Sequence, residues 1–308
     1  MARARLVLSS LLLLVAPTQG LLPWSAVGRA AKKTTLRRAA SSDKKDAGAV
    51  VAAALDSADL SALLAEDVVL NDLARGEARG RAAVAAKLGA KRNLVVERTA
   101  GDETRGGFTW RREKEGKVGL RGTTFVRFDA SGKLVYVQEA SEPVFKAGAL
   151  TEELLKAATK NLEKEETVPT YEERTPTSAS DIVRYLWLEA SPKGAGPDVA
   201  LGLFSDDILY EDFNYAKPFE GKGQVEAFVK AFDIPGIEFV PLEISGGDAA
   251  CCFTWKVVVN GTDGPNGVSF YEVDPATNKV VYIRDIPATK PAPLQQLAEL
   301  LNPDLGVF

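Results

Sequence analysis

The stretch LFSDDILYEDF at residues 203–213 has a counterpart in LLAEDVVLNDL at residues 63–73, 140 positions earlier in the chain. In this alignment Asp72 corresponds to Asp212. Further matches follow in the same order at offsets of 140 to 146: Gly80 with Gly221, Phe108-Thr109-Trp110 with Phe253-Thr254-Trp255, Gly122 with Gly267, Phe125 with Phe270, and Tyr136 with Tyr282. A repeat that keeps its order over this length predicts two copies of one structural unit.

Each copy has the same predicted order of elements. In the second copy, Val225, Phe228, Val229 and Phe232 recur at helical spacing, and Ser180 is the expected cap of an earlier helix. Strand-like runs follow the helices, at 237–244, 249–260, 267–274 and 279–286 in the second copy and near 94–99, 106–114, 118–129 and 133–141 in the first. Helices followed by a strand meander predict an α+β fold with a curved antiparallel sheet.

The boundaries of the two copies follow from composition. The first domain is predicted over residues 46–162 and the second over residues 178–302, followed by a tail at 303–308. An acidic segment with prolines, residues 163–177, is the predicted linker. Each copy is also expected to end in an amphipathic segment, Leu150 to Leu162 and Leu294 to Leu301.

The composition excludes several kinds of site. The chain contains no histidine, and its two cysteines, Cys251 and Cys252, are adjacent. Imidazole catalysis, histidine-ligated metals and a CxxC metal site are therefore excluded, and neither a metal nor a cofactor is predicted. Residues 1–42 hold seven of the 38 basic residues and none of the 42 acidic ones, so the remaining chain carries a net charge of −11. An acidic body argues against nucleic-acid binding.

The first 45 residues are typical of a targeting segment. Arg3 and Arg5 precede an apolar run from Leu6 to Ala16, which predicts a signal peptide over residues 1–20. Residues 21–45 are rich in small and basic residues, as in a transit peptide. The two in series resemble the bipartite leaders of secondary plastids, and a secreted protein is the alternative. No other stretch is apolar enough to predict stable membrane insertion of the mature chain.

The second copy resembles a known superfamily. The residues that carry the resemblance are Ile182-Val-Arg-Tyr185, Leu203-Phe-Ser-Asp-Asp207 with Glu211-Asp212, and Gly221-Lys222 with Val225 and Phe228. They look like the nuclear transport factor 2-like superfamily, and within it the SnoaL-like and ketosteroid-isomerase-like proteins. The resemblance implies two tandem cone-shaped domains, in which N-terminal helices wrap a bent sheet and enclose an apolar pocket.

The resemblance also implies a candidate catalytic pair. Asp212 falls where ketosteroid isomerases place their base, and Tyr185 falls where they place a phenol that stabilises the enolate oxygen. That enzyme is a worked case of a base beside a phenol and a protonated carboxylic acid. The acid position falls near Ser269, which is not an acid, so the set is incomplete. Alternatively, Asp212 caps the turn that begins at Asn214, a role that its repetition at Asp72 favours.

The second copy is also richer in aromatic residues than the first. This enrichment is consistent with a pocket for an apolar ligand, although aromatic side chains in a narrowing cone also serve as core. The predicted ligand-binding residues are Tyr210, Phe213, Tyr215, Trp255, Ser269 and Tyr282. Arg284 and Asp285, at the end of the last strand, are interpreted as surface residues that form ion pairs, with a place at the rim of the pocket as the alternative.

Three functions remain open from the sequence. The first is a SnoaL-like protein, non-catalytic or of uncharacterised activity, that binds a small apolar ligand in the second domain. The second is a cofactor-independent isomerase or cyclase with Asp212 as base and Tyr185 as oxyanion donor. The third is a structural adaptor that uses the sheet faces, which could pack within one chain or between two chains. The sequence does not decide whether the chain is an enzyme.

Overall fold

The computed structural model describes residues 46–55, 57, 60–89, 94–143, 146–148, 153, 156, 168–234, 236–259 and 261–288. The predicted leader at 1–45, the tail at 303–308 and the amphipathic segment at 294–301 lie outside these residues, as does most of the segment at 150–162. In the described part of the chain, no helix combines the length and apolar character needed to cross a bilayer.

The first copy contains three helices and six strands in its described residues. The helices are α1 (Ala47–Ala54), α2 (Leu60–Leu63) and α3 (Arg81–Gly89). The strands are β1 (Leu64–Asp72), β2 (Gly76–Arg79), β3 (Leu94–Gly101), β4 (Arg105–Lys114), β5 (Lys117–Phe128) and β6 (Leu134–Ser141). The four predicted strand runs of this copy agree with β3 to β6 within a few residues.

The second copy follows the same plan. Its helices are α4 (Ala179–Arg184), which continues as a π-helical turn over Tyr185–Ala190, then α5 (Pro197–Leu203) and α6 (Lys222–Ala231). Its strands are β7 (Phe204–Asp212), β8 (Phe219–Glu220), β9 (Ile237–Ile244), β10 (Ala250–Val259), β11 (Thr262–Asp274) and β12 (Lys279–Pro287). The cap of α4 is Ser178 and not Ser180, because the Ser178 side chain accepts the hydrogen bond from Asp181 N.

Both sheets have six strands in the same order, which confirms two tandem α+β units. The orders are β2-β1-β6-β5-β4-β3 and β8-β7-β12-β11-β10-β9. The predicted antiparallel pairing holds for all but one pair of strands in each sheet. The pairs β1–β6 and β7–β12 are parallel, so each sheet is mixed. These parallel pairs join strands far apart in sequence, and strand-by-strand patterning cannot reveal such pairing.

The helices cover one face of each sheet, which we call the helix face. In the second copy, Ile182 and Leu186 from the helices pack with Phe253 and Tyr271 from the sheet in one buried cluster. The first copy has an equivalent cluster in which Val51 and Val84 meet Trp110 and other sheet residues. Alternate residues of the same strands point to the other face.

The opposite faces of the two sheets pack against each other, and we call this contact the sheet–sheet interface. Its buried cluster combines Phe125 and Ala140 of the first copy with Phe213, Cys252 and Phe270 of the second. Both sheets belong to one compact unit. The intramolecular sheet packing that was one of the sequence alternatives is therefore present. Cys251 lies on the helix face and Cys252 in the interface, as their adjacency on a strand requires.

Candidate functional site

Two aspartates meet on the helix face of the second sheet. The parallel strands β7 and β12 place Asp212 and Asp285 directly opposite each other, with Tyr210 opposite Ile283 two residues earlier. Because side chains alternate along a strand, Tyr210 and Asp212 share one face, and neighbouring strands in register put Asp285 on that face too. Both aspartates are half-buried. The fold thus brings together two carboxyl groups that are 73 residues apart in sequence.

Hydrogen bonds hold Asp285 in a short chain of polar groups. The Tyr210 hydroxyl donates to Asp285 Oδ2, and the Ser269 hydroxyl donates to Asp285 Oδ1. Ser269 in turn accepts a 2.7 Å hydrogen bond from Trp255 Nε1. Three of the predicted ligand-binding residues, Tyr210, Trp255 and Ser269, therefore converge on one carboxyl group, Asp285, that the sequence analysis had placed at the surface.

Asp212 has a different environment from Asp285. Its Oδ1 accepts a 2.8 Å hydrogen bond from Asn214 N, which is the predicted role at the turn. Asp72 makes the equivalent contacts in the first copy, accepting from the backbone N–H groups of Ala74 and Arg75 at 3.0 Å each. The turn contact is therefore shared by the two copies and leaves the second carboxylate oxygen of Asp212 available.

The environment favours the protonated forms of both carboxyl groups. Burial, followed by the charge of Asp285, raises the pKa of Asp212 to about 7, against the opposing effects of Asn214 N–H and Lys146. Burial also raises the pKa of Asp285 to about 6, although its hydrogen bonds from Ser269 and Tyr210 lower it. Two adjacent carboxylates are costly to ionise together, so the pair holds a proton near neutral pH.

A group of aromatic rings adjoins Tyr210, whose hydroxyl binds Asp285. The Tyr210 ring lies edge-on to Phe228 with centroids 5.3 Å apart, and Phe228 stacks on Phe219 with centroids 4.4 Å apart. The centroids of Tyr215 and Phe219 are 5.2 Å apart. Phe219, Phe228 and Tyr215 are only partly buried. A partly exposed aromatic cluster is therefore joined to the carboxyl pair through Tyr210.

Two cavities among the described residues lie away from the carboxyl pair. One, of about 10 Å³, lies near Ala140, Pro143 and Pro287. A second concavity is an open groove beside α3, lined by Arg79 and Arg81 among others. Side chains of the second copy, including the rings described above, occupy the space beneath its helices.

The remaining predicted site residues lie elsewhere. Tyr185 is buried on the helix face beneath Arg174, whose guanidinium carbon is 4.9 Å from the ring centroid. Among the described residues, Tyr185 forms no hydrogen bond with Asp212 or Asp285. Phe213 and Tyr282 belong to the sheet–sheet interface and do not line the helix face.

Asp285 is the residue that sequence reasoning missed. Its position on a strand was recognised, but its partner was not, because only the parallel pairing of β7 with β12 brings it beside Asp212. The interpretation of Arg284 as a surface residue was also wrong, since Arg284 is buried and pairs with Glu97 across the sheet–sheet interface. Ser269 was the available sequence signal for this site. It lies where the resemblance places a carboxylic acid, and its hydroxyl donates to Asp285.

The first copy keeps part of this arrangement. Trp110 Nε1 donates to Thr124 Oγ1 at 3.0 Å, and Thr124 donates to Glu139 at 3.3 Å, while Glu139 lies opposite Asp72 on the parallel strand. Two differences change its chemistry. Leu70 occupies the position of Tyr210, and Arg112 places a positive charge near Glu139 where the second copy has Val257.

The described residues do not form a metal site. No group of three or more His, Cys, Asp or Glu side chains in this part of the chain is arranged to hold an ion. The candidate site is therefore the pair Asp212–Asp285 with Tyr210, Ser269 and Trp255.

Comparison with known proteins gives a likeness of fold. No family model matches the chain, and no curated protein matches it. Solved structures do. A steroid delta-isomerase from Pseudomonas aeruginosa is 21% identical, with 37% of this chain and 88% of that chain covered and a TM-score of 0.27. A SnoaL-like family protein from Agrobacterium tumefaciens is 17% identical, with 45% and 99% covered and a TM-score of 0.26.

A nuclear transport factor 2-like protein of unknown function from Cytophaga hutchinsonii is 13% identical, with 40% of this chain and 98% of that chain covered and a TM-score of 0.28. Each of these structures matches less than half of this chain. Of these three structures, the third carries the nuclear transport factor 2-like name and the second the SnoaL-like name, and the likeness of each is to a part of this chain.

Proposed function

We propose that the second copy binds a small, largely apolar molecule on its helix face, with a polar group of that molecule at the Asp212–Asp285 pair. One observation carries the proposal: two half-buried carboxyl groups lie side by side and are joined through Tyr210 to partly exposed aromatic rings. Among the described residues, neither carboxyl group forms a direct ion pair with lysine or arginine. Such a carboxyl pair is suited to hydrogen-bond a polar group of a ligand.

The protonation of the pair defines the ligand's polar group. With one proton shared near neutral pH, the pair can donate one hydrogen bond and accept another. It therefore suits a neutral hydroxyl or carbonyl group and disfavours an anion. The rings of Phe219, Phe228 and Tyr215 would contact the apolar part of the ligand, and these partly buried rings would move aside on binding.

Binding of 2-naphthol, a planar phenol whose fluorescence reports its environment, tests this proposal. We expect saturable binding to the full chain. The affinity should fall about tenfold in Asp285→Asn, because the naphthol hydroxyl loses its hydrogen bond to the Asp285 carboxyl group. Asp72→Asn, the equivalent change in the first copy, is the matched control and should leave binding unchanged. Absence of binding, or equal weakening by both variants, would contradict the proposal.

Proton transfer is a second candidate function. The observation that favours it is the environment of Asp212, which raises its pKa to about 7, close to the value that suits a general base at neutral pH. Asp212 would remove a proton from carbon beside a ligand carbonyl and return it to a second carbon. The reaction would proceed from the tautomer of the singly protonated pair in which Asp212 is ionised and the proton lies on Asp285. Asp285 would then donate a hydrogen bond to the enolate oxygen, in the role that the resemblance assigned to Tyr185.

Hydrogen exchange measures this activity without knowledge of the natural substrate. We expect the full chain to accelerate deuterium incorporation at the carbon beside the carbonyl of 2-tetralone, followed by NMR in D₂O. Asp212→Asn should abolish the acceleration, whereas Asp72→Asn should retain it. If exchange is unchanged by Asp212→Asn, the second candidate is wrong, and the binding proposal is unaffected.

A further inference from the structure

We propose that the sheet–sheet interface is heterotypic: the face of the first copy fits the second copy, and neither face fits a copy of itself. The first copy is then a built-in partner subunit for the second. This inference concerns the interface alone and does not depend on the proposed ligand site. It follows from the symmetry, the charges and the sizes of the residues that meet there.

Contacts across the interface repeat with the copies exchanged. Gln138 Nε2 donates to Gly267 O at 3.2 Å, and Arg284 Nη1 donates to Gly122 O at 3.4 Å. Gln138 and Arg284 occupy the same register position in the two sheets, and so do Gly122 and Gly267. The two copies are therefore related by a pseudo-two-fold axis, which is the geometry of an isologous dimer.

Two ion pairs reveal a charge difference between the faces. Arg98 Nε lies 2.7 Å from Glu272 Oε2, and Arg127 Nε lies 3.1 Å from Glu243 Oε1. The strand registers show that Arg98 is equivalent to Glu243, and that Arg127 is equivalent to Glu272. Both positions are arginine in the first copy and glutamate in the second. Either face placed on a copy of itself would bring like charges together.

The buried centre of the interface shows the same preference. Arg284 of the second copy is 2% exposed, and its Nη1 lies 2.9 Å from Glu97 Oε2 of the first copy. The residue equivalent to Glu97 is Leu242, since both occupy the same bulge of the edge strand. In a pair of second copies, Arg284 would keep Glu211 of its own copy but would face Leu242 in place of the acid across the interface. Loss of one of the two acids around a buried arginine is destabilising.

Side-chain size at the pseudo-two-fold axis also favours pairing of a first copy with a second copy over pairing of two like copies. Gly107 and Cys252 are equivalent residues, and they face each other. A Cβ atom added at Gly107 would lie 2.3 Å from Cys252 Sγ, so there is no room for a second side chain. Two second copies would bring two cysteines together here, and two first copies would leave a gap. Ala140 and Ile286, also equivalent, give the same small-against-large contrast in the cluster.

Charge and size therefore act together against self-pairing of either copy. Natural interfaces gain specificity by penalising wrong partners as well as by favouring the right one. The kind of partner that each face fits is thus defined: the first-copy face takes a surface with two glutamates, a buried arginine and a larger axial residue. The second copy of the same chain presents all of these.

Cleavage of the folded full chain tests this inference directly. A protease site inserted in the predicted linker at residues 163–177 would be cut after folding, and the product examined by native mass spectrometry before and after exchange in mild urea. We expect only one-to-one complexes of the two pieces at both stages. Homodimers of either piece, or separation of the pieces without reassociation, would overturn the inference.

Charge inversion in the uncut chain provides a second test. We expect Arg98→Glu to lower the urea unfolding midpoint by about 0.2–0.4 M, because a glutamate then faces Glu272. Adding Glu272→Arg should restore the midpoint. The pair of Arg127 with Glu243 is left unchanged, because Glu243 also pairs with Arg105. Arg81→Glu, which breaks a surface pair with Glu66 within the first copy, is the control, and Glu272→Arg should not restore its stability. A double variant no more stable than Arg98→Glu would contradict the charge argument.

Discussion

At the scale of single residues, the groups around Asp212 and Asp285 give these two carboxyl groups different pKa values. Asp285 is held by two side-chain donors, Tyr210 and Ser269, whereas the donor to Asp212 among the described residues is the backbone N–H of Asn214. Hydrogen bonds to the ionised form lower a carboxyl pKa, so Asp285 is the first of the pair to ionise as pH rises. Asp212 then holds the remaining proton near neutral pH.

This protonation makes stability depend on pH. Because the pKa of Asp212 is raised on folding from 3.8 to about 7, the folded state binds more protons than the unfolded state between these values. The associated stability is fully present below pH 3.8 and is lost as pH rises through about 7. We expect Asp212→Asn to be more stable than the unsubstituted chain at pH 8 by roughly 1–3 kcal/mol, and to lose this advantage at pH 4.

Urea unfolding at the two pH values measures the effect, and Asp72→Asn serves as the comparison. Asparagine can still accept the hydrogen bond from Asn214 N through its side-chain oxygen, so the turn is retained in Asp212→Asn. A stability difference that does not change between pH 4 and pH 8 would show that Asp212 does not hold this proton.

At the scale of elements, a glycine on one strand positions a tryptophan on the next in both copies. Trp255 pairs with Gly267 across β10 and β11, and Trp110 pairs with Gly122 across β4 and β5. A Cβ atom added at Gly267 would lie 2.3 Å from Trp255 Cζ2. The indole therefore lies over the glycine, which directs Trp255 Nε1 to Ser269 and fixes the donor to Asp285.

We expect Gly267→Ala to displace Trp255 and to destabilise the fold by about 1–3 kcal/mol, as overpacking of a core does. It should also weaken 2-naphthol binding, because the hydrogen bond from Trp255 to Ser269 would be lost. Gly122→Ala should cost similar stability in the first copy without affecting binding. Calorimetry and fluorescence titration give the two readouts, and loss of binding in Gly122→Ala would contradict the assignment of the site to the second copy.

The elements also show what the sequence could predict. Strands β3 to β6 and β9 to β12 were anticipated because alternating apolar residues and turn-forming residues are local signals. The parallel pairing of β7 with β12 was not, since no local pattern specifies which distant strand lies alongside. Asp212 could therefore be identified as a candidate, while Asp285 was misread as a surface residue and Tyr185 was paired with Asp212 by resemblance alone.

At the scale of the whole molecule, a segment that follows the first sheet lies beside Asp212 of the second copy. Lys146 follows the first sheet, and its Nζ lies 2.7 Å from Glu142 and 4.8 Å from the Phe213 ring centroid. Gly148 N donates to Asn214 O at 2.8 Å, which holds this segment against the turn after Asp212. The positive charge of Lys146 favours the ionised form of Asp212.

We expect Lys146→Met to raise the pKa of Asp212, because it removes the lysine charge while keeping the length of the side chain. A ¹³C-detected NMR titration of the aspartate carboxyl groups measures the shift, with Lys87→Met in the first copy as a remote control. The other charged group that acts on Asp212 is Asp285, which the substitution leaves in place. An unchanged Asp212 pKa would show that the first copy has no electrostatic influence on the site.

The pairing of Gly107 with Cys252 on the pseudo-two-fold axis has a consequence for how such a chain can change over generations. In a homodimer every substitution occurs twice and must be compatible with itself at the axis. Fusion of two copies removes that restriction, because each half mutates separately. The two halves can therefore differ at equivalent positions, as they do at Leu70 against Tyr210 and at Arg112 against Val257, and one half can support the fold of the other without sharing its site.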